Sequence, residues 1–419
     1  MLNKEMNIMW AEELAFYHIF PLGFCGTPAD NKPTAISKPV IHKISEWIPH
    51  IKSLNLNAIC LGPIFESSSH GYDTIDFLNI DRRLGANANF KKVADDIHNN
   101  GMRLIMEGVF NHVGRDFWAF KNVRKLNKKA AHADWFHITF SGESPYGDKF
   151  RYEHDIAHPD MPLLNLKNQH VKNHIFNAVK TWISDYDIDG IRLNRADQLD
   201  HVFIWELRAF CKEIKPDFLI LGDAGQNEQN LDSIVSHACY KALHSCFNDK
   251  NMFEIAYLIN KQSNSHKTFY TFLDNHEVSR ISTNITNTKH LPLAYTLLMT
   301  IPGTPSIYYG SEWGVWGDIR EGERALRKCL NLKMDAPLTK HIKRLGKLRA
   351  ASPALRLGDY NKVYLTNEQY IFTRHFENDM ACVAINISDR DHTIKLNGAH
   401  FTMAPYSSKI LVRGKWYAL

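Results

Sequence analysis

Residues 104–112 read Leu-Ile-Met-Glu-Gly-Val-Phe-Asn-His, an apolar run that ends in polar side chains. A short run of this kind is typical of a buried strand in a parallel sheet. The same pattern recurs along most of the chain, in the runs 17–21, 58–62, 190–193, 218–222, 269–273 and 306–309. Because parallel strands need long crossover connections, we expect helices between these runs.

The intervening segments carry apolar residues at helical spacing, as in residues 41–54, 90–99 and 171–184. Alternation of strand and helix predicts a parallel sheet with crossover helices. Because the alternation continues over about 340 residues, it favours a closed (β/α)8 TIM barrel over an open sheet. The helical segment 339–351, with Pro353 just beyond it, would complete the barrel.

Two stretches depart from this alternation. Residues 113–160 are rich in His, Asp, Gly and aromatic residues, which indicates a loop domain inserted after one strand. Residues 358–419 contain short runs of period two, which predict a C-terminal antiparallel β domain. The barrel itself is therefore expected to comprise residues 12–112 and 161–353.

The composition excludes several classes of protein. Hydrophobic residues make up 44% of the 419 residues, and the formal charge of +5 comes from 50 basic and 45 acidic side chains scattered without long runs. This balance predicts no nucleic-acid partner and no membrane partner. The seven cysteines have no CxxC spacing, so they indicate neither a zinc site nor a disulfide framework. Residues 1–14 lack the apolar core of a signal peptide, and a cytoplasmic protein is expected.

Polar residues at the ends of strands predict where a functional site lies. The active face of a parallel barrel is built from the carboxyl ends of its strands and the loops that follow. Asn111 and His112 follow one apolar run, Asn194 and Asp223 follow two others, and residues 274–277 follow a fourth. Each alone is explained by capping of the next helix. Together and in this order they predict a site.

With these residues in view, the chain resembles the α-amylase family of glycoside hydrolases, known as family 13, and specifically its neopullulanase and cyclomaltodextrinase branch. The resemblance spans roughly residues 12–419. Four family motifs appear in order, at residues 107–112, 190–194, 221–223 and 275–277. Three further segments agree, namely His70-Gly-Tyr-Asp73, Met161-Pro-Leu-Leu-Asn165 and Gly303-Thr-Pro-Ser-Ile-Tyr-Tyr-Gly310, although Leu163 stands where the branch usually has Lys.

The resemblance implies a role for each matching position. Asn194 stands at the nucleophile, Asp223 at the general acid/base and Glu277 at the transition-state stabiliser. The family has Asp, Glu and Asp at these positions, and Asp where this chain has Glu107. Residues implied to bind the sugar match the family pattern, and these are Tyr72, His112, Arg192 and His276. The binding residues are thus retained and the acids are altered.

The altered acids predict impaired catalysis. A retaining glycosidase needs two carboxylates about 5–5.5 Å apart, one of which attacks the anomeric carbon. The amide of Asn194 is neutral and attacks poorly, and Asp223 is shorter than Glu by about 1.5 Å. Glu277 is longer than the Asp that the family has at this position. We therefore expect a protein that recognises α-glucans, such as maltooligosaccharides or cyclodextrins, with little or no hydrolysis.

Other interpretations remain open at this stage. An active, slow α-1,4-glucan hydrolase or transglycosylase would need backbone shifts or a borrowed carboxylate, for which Asp197 and Asp274 are candidates. A vestigial protein with neither property is a third reading. An engineered Asn194 would explain one of the four altered acids. The branch often carries an N-terminal dimerisation domain, which we do not expect here because the first barrel strand begins near Tyr17.

No metal or cofactor is predicted. Asn111 and Asp155 suggest the calcium site of many amylases, but the carboxylate-rich spacing that calcium needs is absent. Several aromatic residues are candidates either for the wall of a sugar cleft or for packing, namely Phe117, Trp118, Trp135 with His137, Trp313 and Trp316.

Overall fold

The computed structural model describes residues 9–32, 38–155, 157–223, 225–396 and 399–419. Within them, eight parallel strands close into the predicted TIM barrel. Consecutive barrel strands lie next to each other in the sheet, and the last strand lies next to the first. The strands are β1 (Phe16–Ile19), β2 (Ala58–Leu61), β3 (Arg103–Gly108), β4 (Gly190–Leu193), β5 (Leu219–Gly222), β6 (Ser233–Val235), β7 (Thr268–Phe272) and β8 (Thr304–Tyr308).

Helices lie between most of these strands and after the last one. The longer helices are Lys43–Ser53, Asn87–Asn99, Trp118–Leu126, Gln169–Tyr186, His201–Ile214, His237–Asn248, Met252–Ser263, Leu291–Thr300 and Pro337–Ala351. Shorter α-helices are Met9–Glu12, Pro21–Phe24, Ile281–Asn284, Glu323–Leu326 and Pro353–Leu357. Turns of 3₁₀ helix are Asn127–Lys129, Ala133–Trp135, Ala196–Gln198, Gly225–Asn230, Thr288–His290, Ser311–Trp313 and Ile319–Glu321.

Local sequence explains where the long helices begin. The Asn168 side chain accepts hydrogen bonds from the backbone N–H groups of His170 and Val171, at the start of Gln169–Tyr186. Asp200 does the same for the helix His201–Ile214. These side chains satisfy backbone donors that have no partner within the helix.

The chain forms two compact units. One comprises the residues up to His18, Pro49–Ala58 and Ser233–Leu419, and it contains β6 to β8. The other comprises Ile19–Ile48 and Ile59–Asp232, and it contains β3 to β5.

The end of the chain forms the predicted C-terminal antiparallel sheet. Its strands are β9 (Asp359–Leu365), β10 (Gln369–Phe376), β11 (Asp379–Asn386), β14 (Ser407–Val412) and β15 (Lys415–Ala418), paired in that order. The hairpin β12 (His392–Leu396) and β13 (Ala399–Met403) lies between β11 and β14 in the chain. A small core of Ile371, Ala384, Ile394 and Met403 holds hairpin and sheet together.

The segment predicted as an inserted domain has little regular structure. It contains the helix Trp118–Leu126 and short antiparallel pairs, of which the strands are Ile138–Thr139, Arg151–Tyr152, His154–Asp155 and His158–Pro162. Another antiparallel pair, Phe65–Ser67 with Thr74–Ile80, precedes it. The boundaries of the inserted domain (113–160), of the C-terminal domain (358–419) and of the barrel segments (12–112 and 161–353) stay predictions.

The structure differs from the sequence prediction in two places. The run 17–21 was expected as one strand, but β1 ends at Ile19 and Pro21 begins a helix. Proline has no N–H to donate to a sheet and its backbone suits the first turn of a helix. The strand β6 was not among the predicted runs, because three residues give no measurable period.

No helix among the described residues is long and apolar enough to cross a membrane. The prediction about a signal peptide concerns residues 1–14, of which residues 1–8 lie outside the described part of the chain.

Candidate active site

The register of β3, β4 and β5 determines the level along the barrel at which Glu107, Asn194 and Asp223 lie. Glu107 on β3 and Leu221 on β5 both lie opposite Arg192 on β4. Asn194 and Asp223 each follow their strand by one residue, because Leu193 lies opposite Gly222. The two positions implied to carry nucleophile and acid/base therefore leave the barrel at the same level.

The carboxylate of Glu107 is the centre of a buried network. Its Oε1 accepts hydrogen bonds from Arg192 Nη1 at 3.0 Å, from Asn194 Nδ2 at 3.1 Å and from the Tyr72 hydroxyl at 3.3 Å. The Glu107 side chain is 0% exposed and that of Arg192 is 3% exposed. The structure thus brings together three predicted site residues, Tyr72, Arg192 and Asn194, around the carboxylate of Glu107.

Glycine allows these strands to approach each other. A Cβ atom at Gly190 would lie 2.5 Å from the Leu219 carbonyl oxygen and 2.7 Å from the Leu219 side chain. Any larger residue would push β5 away from β4, so this glycine holds the neighbouring strands, and the residues that follow them, in register.

The loop before Tyr72 is held by one carboxylate. Asp73 accepts hydrogen bonds from the Ser69 hydroxyl and from the backbone N–H groups of His70 and Gly71. Tyr72 is buried, and its ring stacks on Phe20 with ring centroids 6.3 Å apart. The position of the Tyr72 hydroxyl against Glu107 is therefore fixed from both sides.

His112 is buried and uncharged near neutral pH. Burial lowers the pKa of His112 to about 3, and its electrostatic interactions with Arg195, His70 and His158 act in the same direction. A neutral imidazole can both donate and accept a hydrogen bond, which suits contact with sugar hydroxyls.

The segment Met161–Asn165 is attached to the first motif. His112 pairs with Leu163 in an antiparallel bridge. Val113 N donates to the Pro162 carbonyl, and Leu164 N donates to the Asn111 carbonyl. The end of the inserted segment therefore determines the position of His112.

The residues considered for calcium do not fit that ion. Asp155 is buried and forms an ion pair with the guanidinium of Arg195, whose backbone has a φ of 47°. Asp155 also accepts a hydrogen bond from Ala157 N. Arg195 thus supplies the positive charge beside Asp155, and Asn111 contributes one neutral oxygen at most, whereas calcium requires six to eight oxygen ligands.

The other unit carries the positions that follow β7. The Asn275 side chain accepts hydrogen bonds from Glu277 N at 2.7 Å and from Val278 N at 3.1 Å, which fixes the turn. His276 is fully buried with its ring edge against His18, and Glu277 has a side chain 35% exposed. The closest carboxylate oxygen of Glu277 lies 3.8 Å from His276 Nε2.

The two candidates for a borrowed carboxylate lie in different surroundings. Both oxygens of Asp274 accept hydrogen bonds from the Ser311 hydroxyl, and Oδ2 also accepts from Ile281 N. Burial raises the pKa of Asp274, while its hydrogen bonds and the nearby Arg280 act in the opposite direction. Asp197 is exposed in the turn Ala196–Gln198. Asp274 therefore caps the short helix that begins at Ile281 and also binds the segment at Ser311.

The aromatic candidates divide between packing and exposure. Phe117 and Trp135 are buried, and Trp313 stacks on His50 with ring centroids 4.8 Å apart. Trp118 and Trp316 are 44% and 46% exposed. His137 is also exposed, and Trp313 is partly buried.

The sequence did not reveal Glu107 as a shared acceptor or Arg195 as the partner of Asp155. These two residues are 40 positions apart, and no sequence spacing pairs them. The sequence offers one signal, which is the position of Arg195 directly after Asn194, the last residue of the second motif.

Comparison with known proteins decides the family. Residues 19–346 match the model of the alpha amylase catalytic domain. The chain belongs to the α-amylase family. It is 30% identical to a cyclomaltodextrinase of a Bacillus species, over 93% of this chain and 76% of that protein. It is 29% identical to a maltogenic α-amylase of Bacillus acidopullulyticus, over 90% of this chain and 70% of the relative.

Solved structures of this α-amylase-family fold agree. A cyclomaltodextrinase structure has a TM-score of 0.83 and 28% identity, and the match covers 93% of this chain and 72% of that one. The cyclic α-maltosyl-(1→6)-maltose hydrolase of Arthrobacter globiformis has a TM-score of 0.85 at 24% identity, covering 96% and 99% of the two chains. The relatives thus belong to the predicted cyclomaltodextrinase branch.

Proposed function

We propose that this chain is a carbohydrate-binding pseudoenzyme of its family, which recognises α-glucan oligosaccharides and hydrolyses them poorly or not at all. One observation carries the proposal. The nucleophile position holds a neutral amide, and its Nδ2 donates to the Glu107 carboxylate at 3.1 Å. Losing an attacking carboxylate costs several powers of ten in rate, each worth about 1.4 kcal/mol of barrier.

The surrounding residues support binding without catalysis. Glu107 has a 0% exposed side chain whose Oε1 accepts three hydrogen bonds, so it does not replace the missing nucleophile. Tyr72 and Arg192 are held rigidly by the same carboxylate. Rigid binding residues lose little conformational entropy when a ligand binds, which favours recognition.

Calorimetry with maltooligosaccharides and with cyclodextrins tests the binding. We expect saturable binding that is lost in Tyr72→Ala. The matched control is Tyr257→Ala, because Tyr257 is 74% exposed on the helix Met252–Ser263. Absence of binding at millimolar ligand would overturn the proposal.

Release of reducing sugar tests the competing function, a slow hydrolase or transglycosylase of α-1,4-glucans. Asp223 is the carboxylate that such an enzyme would retain. Activity that disappears in Asp223→Ala would establish hydrolysis and contradict the pseudoenzyme proposal. Activity that does not depend on Asp223 would come from another protein in the sample.

A further inference from the structure

Two histidines and one carboxylate converge beside the Tyr72 loop. His70, His158 and Asp160 each offer one ligand atom, and these atoms lie within 4.8 Å of one another. His70 belongs to the loop fixed by Asp73, and the other two belong to the strand His158–Pro162. We propose that these three side chains form a binding site for a divalent transition-metal ion of the zinc class.

The ligand types select that class of ion. Two imidazole nitrogens with one carboxylate oxygen form a ligand set that zinc and cobalt accept, whereas calcium and magnesium prefer oxygen alone. Zinc bonds of about 2.0–2.2 Å place tetrahedral ligands roughly 3.3–3.6 Å apart. Rotation of three partly exposed side chains is enough to close the remaining ångström or so. Water would complete the coordination.

Both backbones that carry the ligands are held in place. The hydrogen bonds to Asp73 fix the loop at His70. The Tyr152 hydroxyl donates to the Pro159 carbonyl at 2.6 Å, and Arg115 N donates to the Asp160 carbonyl at 3.2 Å. Only side chains need to move, so little ordering entropy opposes metal binding.

A second carboxylate stands behind His70. The Nδ1 atom of His70 lies 3.6 Å from Asp73 Oδ1 and accepts a hydrogen bond from Tyr72 N at 3.2 Å. Binding of a metal at Nε2 would place the ring proton on Nδ1, so the hydrogen bond from Tyr72 N would be lost and Nδ1 could donate to the Asp73 carboxylate instead. Metal-bound histidines commonly donate their other ring N–H to a carboxylate in this way.

The three side chains are accessible from solvent. Their exposed fractions are 26% for His70, 42% for His158 and 39% for Asp160. The site differs from the calcium position considered from the sequence, and cysteine spacing gave no sign of it because none of its ligands is a thiolate. Metal binding here does not depend on the proposed recognition of glucans.

Calorimetric titration of the full chain with Zn²⁺ tests the proposal. We expect one equivalent to bind, and His70→Ala and His158→Ala each to weaken binding by about tenfold or more. The matched control is His42→Ala, because His42 lies 3.6 Å from Glu46 as an exposed histidine–carboxylate pair. Its removal should leave Zn²⁺ affinity unchanged.

Two further measurements keep the test decisive. Co²⁺ should give visible absorption bands of nitrogen and oxygen coordination, without the thiolate charge-transfer band that the exposed Cys329 would produce. Zn²⁺ should also raise the Tm of the parent chain, and this shift should vanish in Asp160→Asn. Three results would each overturn the proposal: no Zn²⁺ binding by the parent chain, histidine variants that bind Zn²⁺ as tightly as the parent chain, or a thiolate band with Co²⁺.

Discussion

The side-chain amide of Asn194 donates a hydrogen bond to the carboxylate of Glu107, 3.1 Å away. Arg192 donates to the same oxygen from 3.0 Å and the Tyr72 hydroxyl donates from 3.3 Å, so a single buried anion faces one cation and two neutral donors. Asn194 and Glu107 therefore form a donor–acceptor pair, and changing either residue affects the other.

A single reversion at the nucleophile position should destabilise the protein. Asn194→Asp removes the donor and places a second carboxylate against Glu107, so we expect the free energy of unfolding at pH 7 to fall by about 1–3 kcal/mol. Urea denaturation measures the loss. Asn194→Ala, which removes the donor without adding charge, is the control. Equal stability of the parent and Asn194→Asp would show that the contact contributes nothing.

Recovery of hydrolysis should require four reversions. The set Glu107→Asp, Asn194→Asp, Asp223→Glu and Glu277→Asp should raise maltotriose turnover by about a hundredfold or more over the parent. The three reversions without Glu107→Asp should recover less, because the longer acid stays against residue 194. Assays of released glucose compare the two sets. A parent that already works at ordinary enzymatic speed would contradict this expectation.

The buried His112 should make the protein less stable in acid. Its folded pKa of about 3 lies below the ordinary value of 6.5, so the unfolded state binds more protons between these values. Stability contributed by neutral His112 is full above pH 6.5 and is lost as the pH falls, by about 2 kcal/mol between pH 7 and pH 5. Unfolding of His112→Asn followed against pH should show a shallower slope.

His341 provides a comparison outside the candidate site. Burial lowers the pKa of His341 to about 4, and its Nε2 lies 2.9 Å from the Pro292 carbonyl oxygen. His341→Gln should flatten the same pH profile without changing glucan affinity, whereas His112→Asn should change both. If His112→Asn bound maltooligosaccharides as the parent does, the role of His112 in recognition would be wrong.

Glycine at position 195 should relieve strain in the backbone. The Arg195 φ of 47° is unfavourable for a side chain, and the Arg195 guanidinium pairs with the buried Asp155. Arg195→Ala loses the pair and keeps the backbone strain, so Arg195→Gly should be more stable than Arg195→Ala by about 1 kcal/mol. Thermal or urea unfolding of the two variants measures the difference. The reverse order would mean that this conformation is not strained.

The barrel was predictable because short stretches of sequence are enough to indicate its strands and helices. Apolar runs such as 104–109 and 190–193 end in polar residues within a few positions, and helical periodicity fills the gaps between strands. The pattern at 171–184 predicts the helix Gln169–Tyr186, whose first two residues follow from the cap at Asn168. The three-residue strand β6 has no such pattern, because its place is determined by its neighbours.

The sequence predicted which residues belong to the candidate site, but it did not predict the contacts between them. Motifs identified Tyr72, Arg192 and Asn194. The register of β3 and β4 brings Arg192 and Asn194 to Glu107, and the loop held by Asp73 brings Tyr72 there. The pair Arg195 and Asp155 and the convergence of His70 with His158 depend on chain segments far apart in sequence. Contacts of this kind follow from the path of the inserted segment, which has almost no periodic signal.

The bridge between His112 and Leu163 has a practical consequence for protein engineering. Residues 162–164 form backbone hydrogen bonds with residues 111–113. A graft that replaces the whole inserted segment would therefore displace the His112 side chain. The turn around Gly142 and Gly147 has no such attachment to His112 in the described bonding and lies at the surface. Loops of other lengths, tags or foreign epitopes belong there, with the last residues of the segment left as they are.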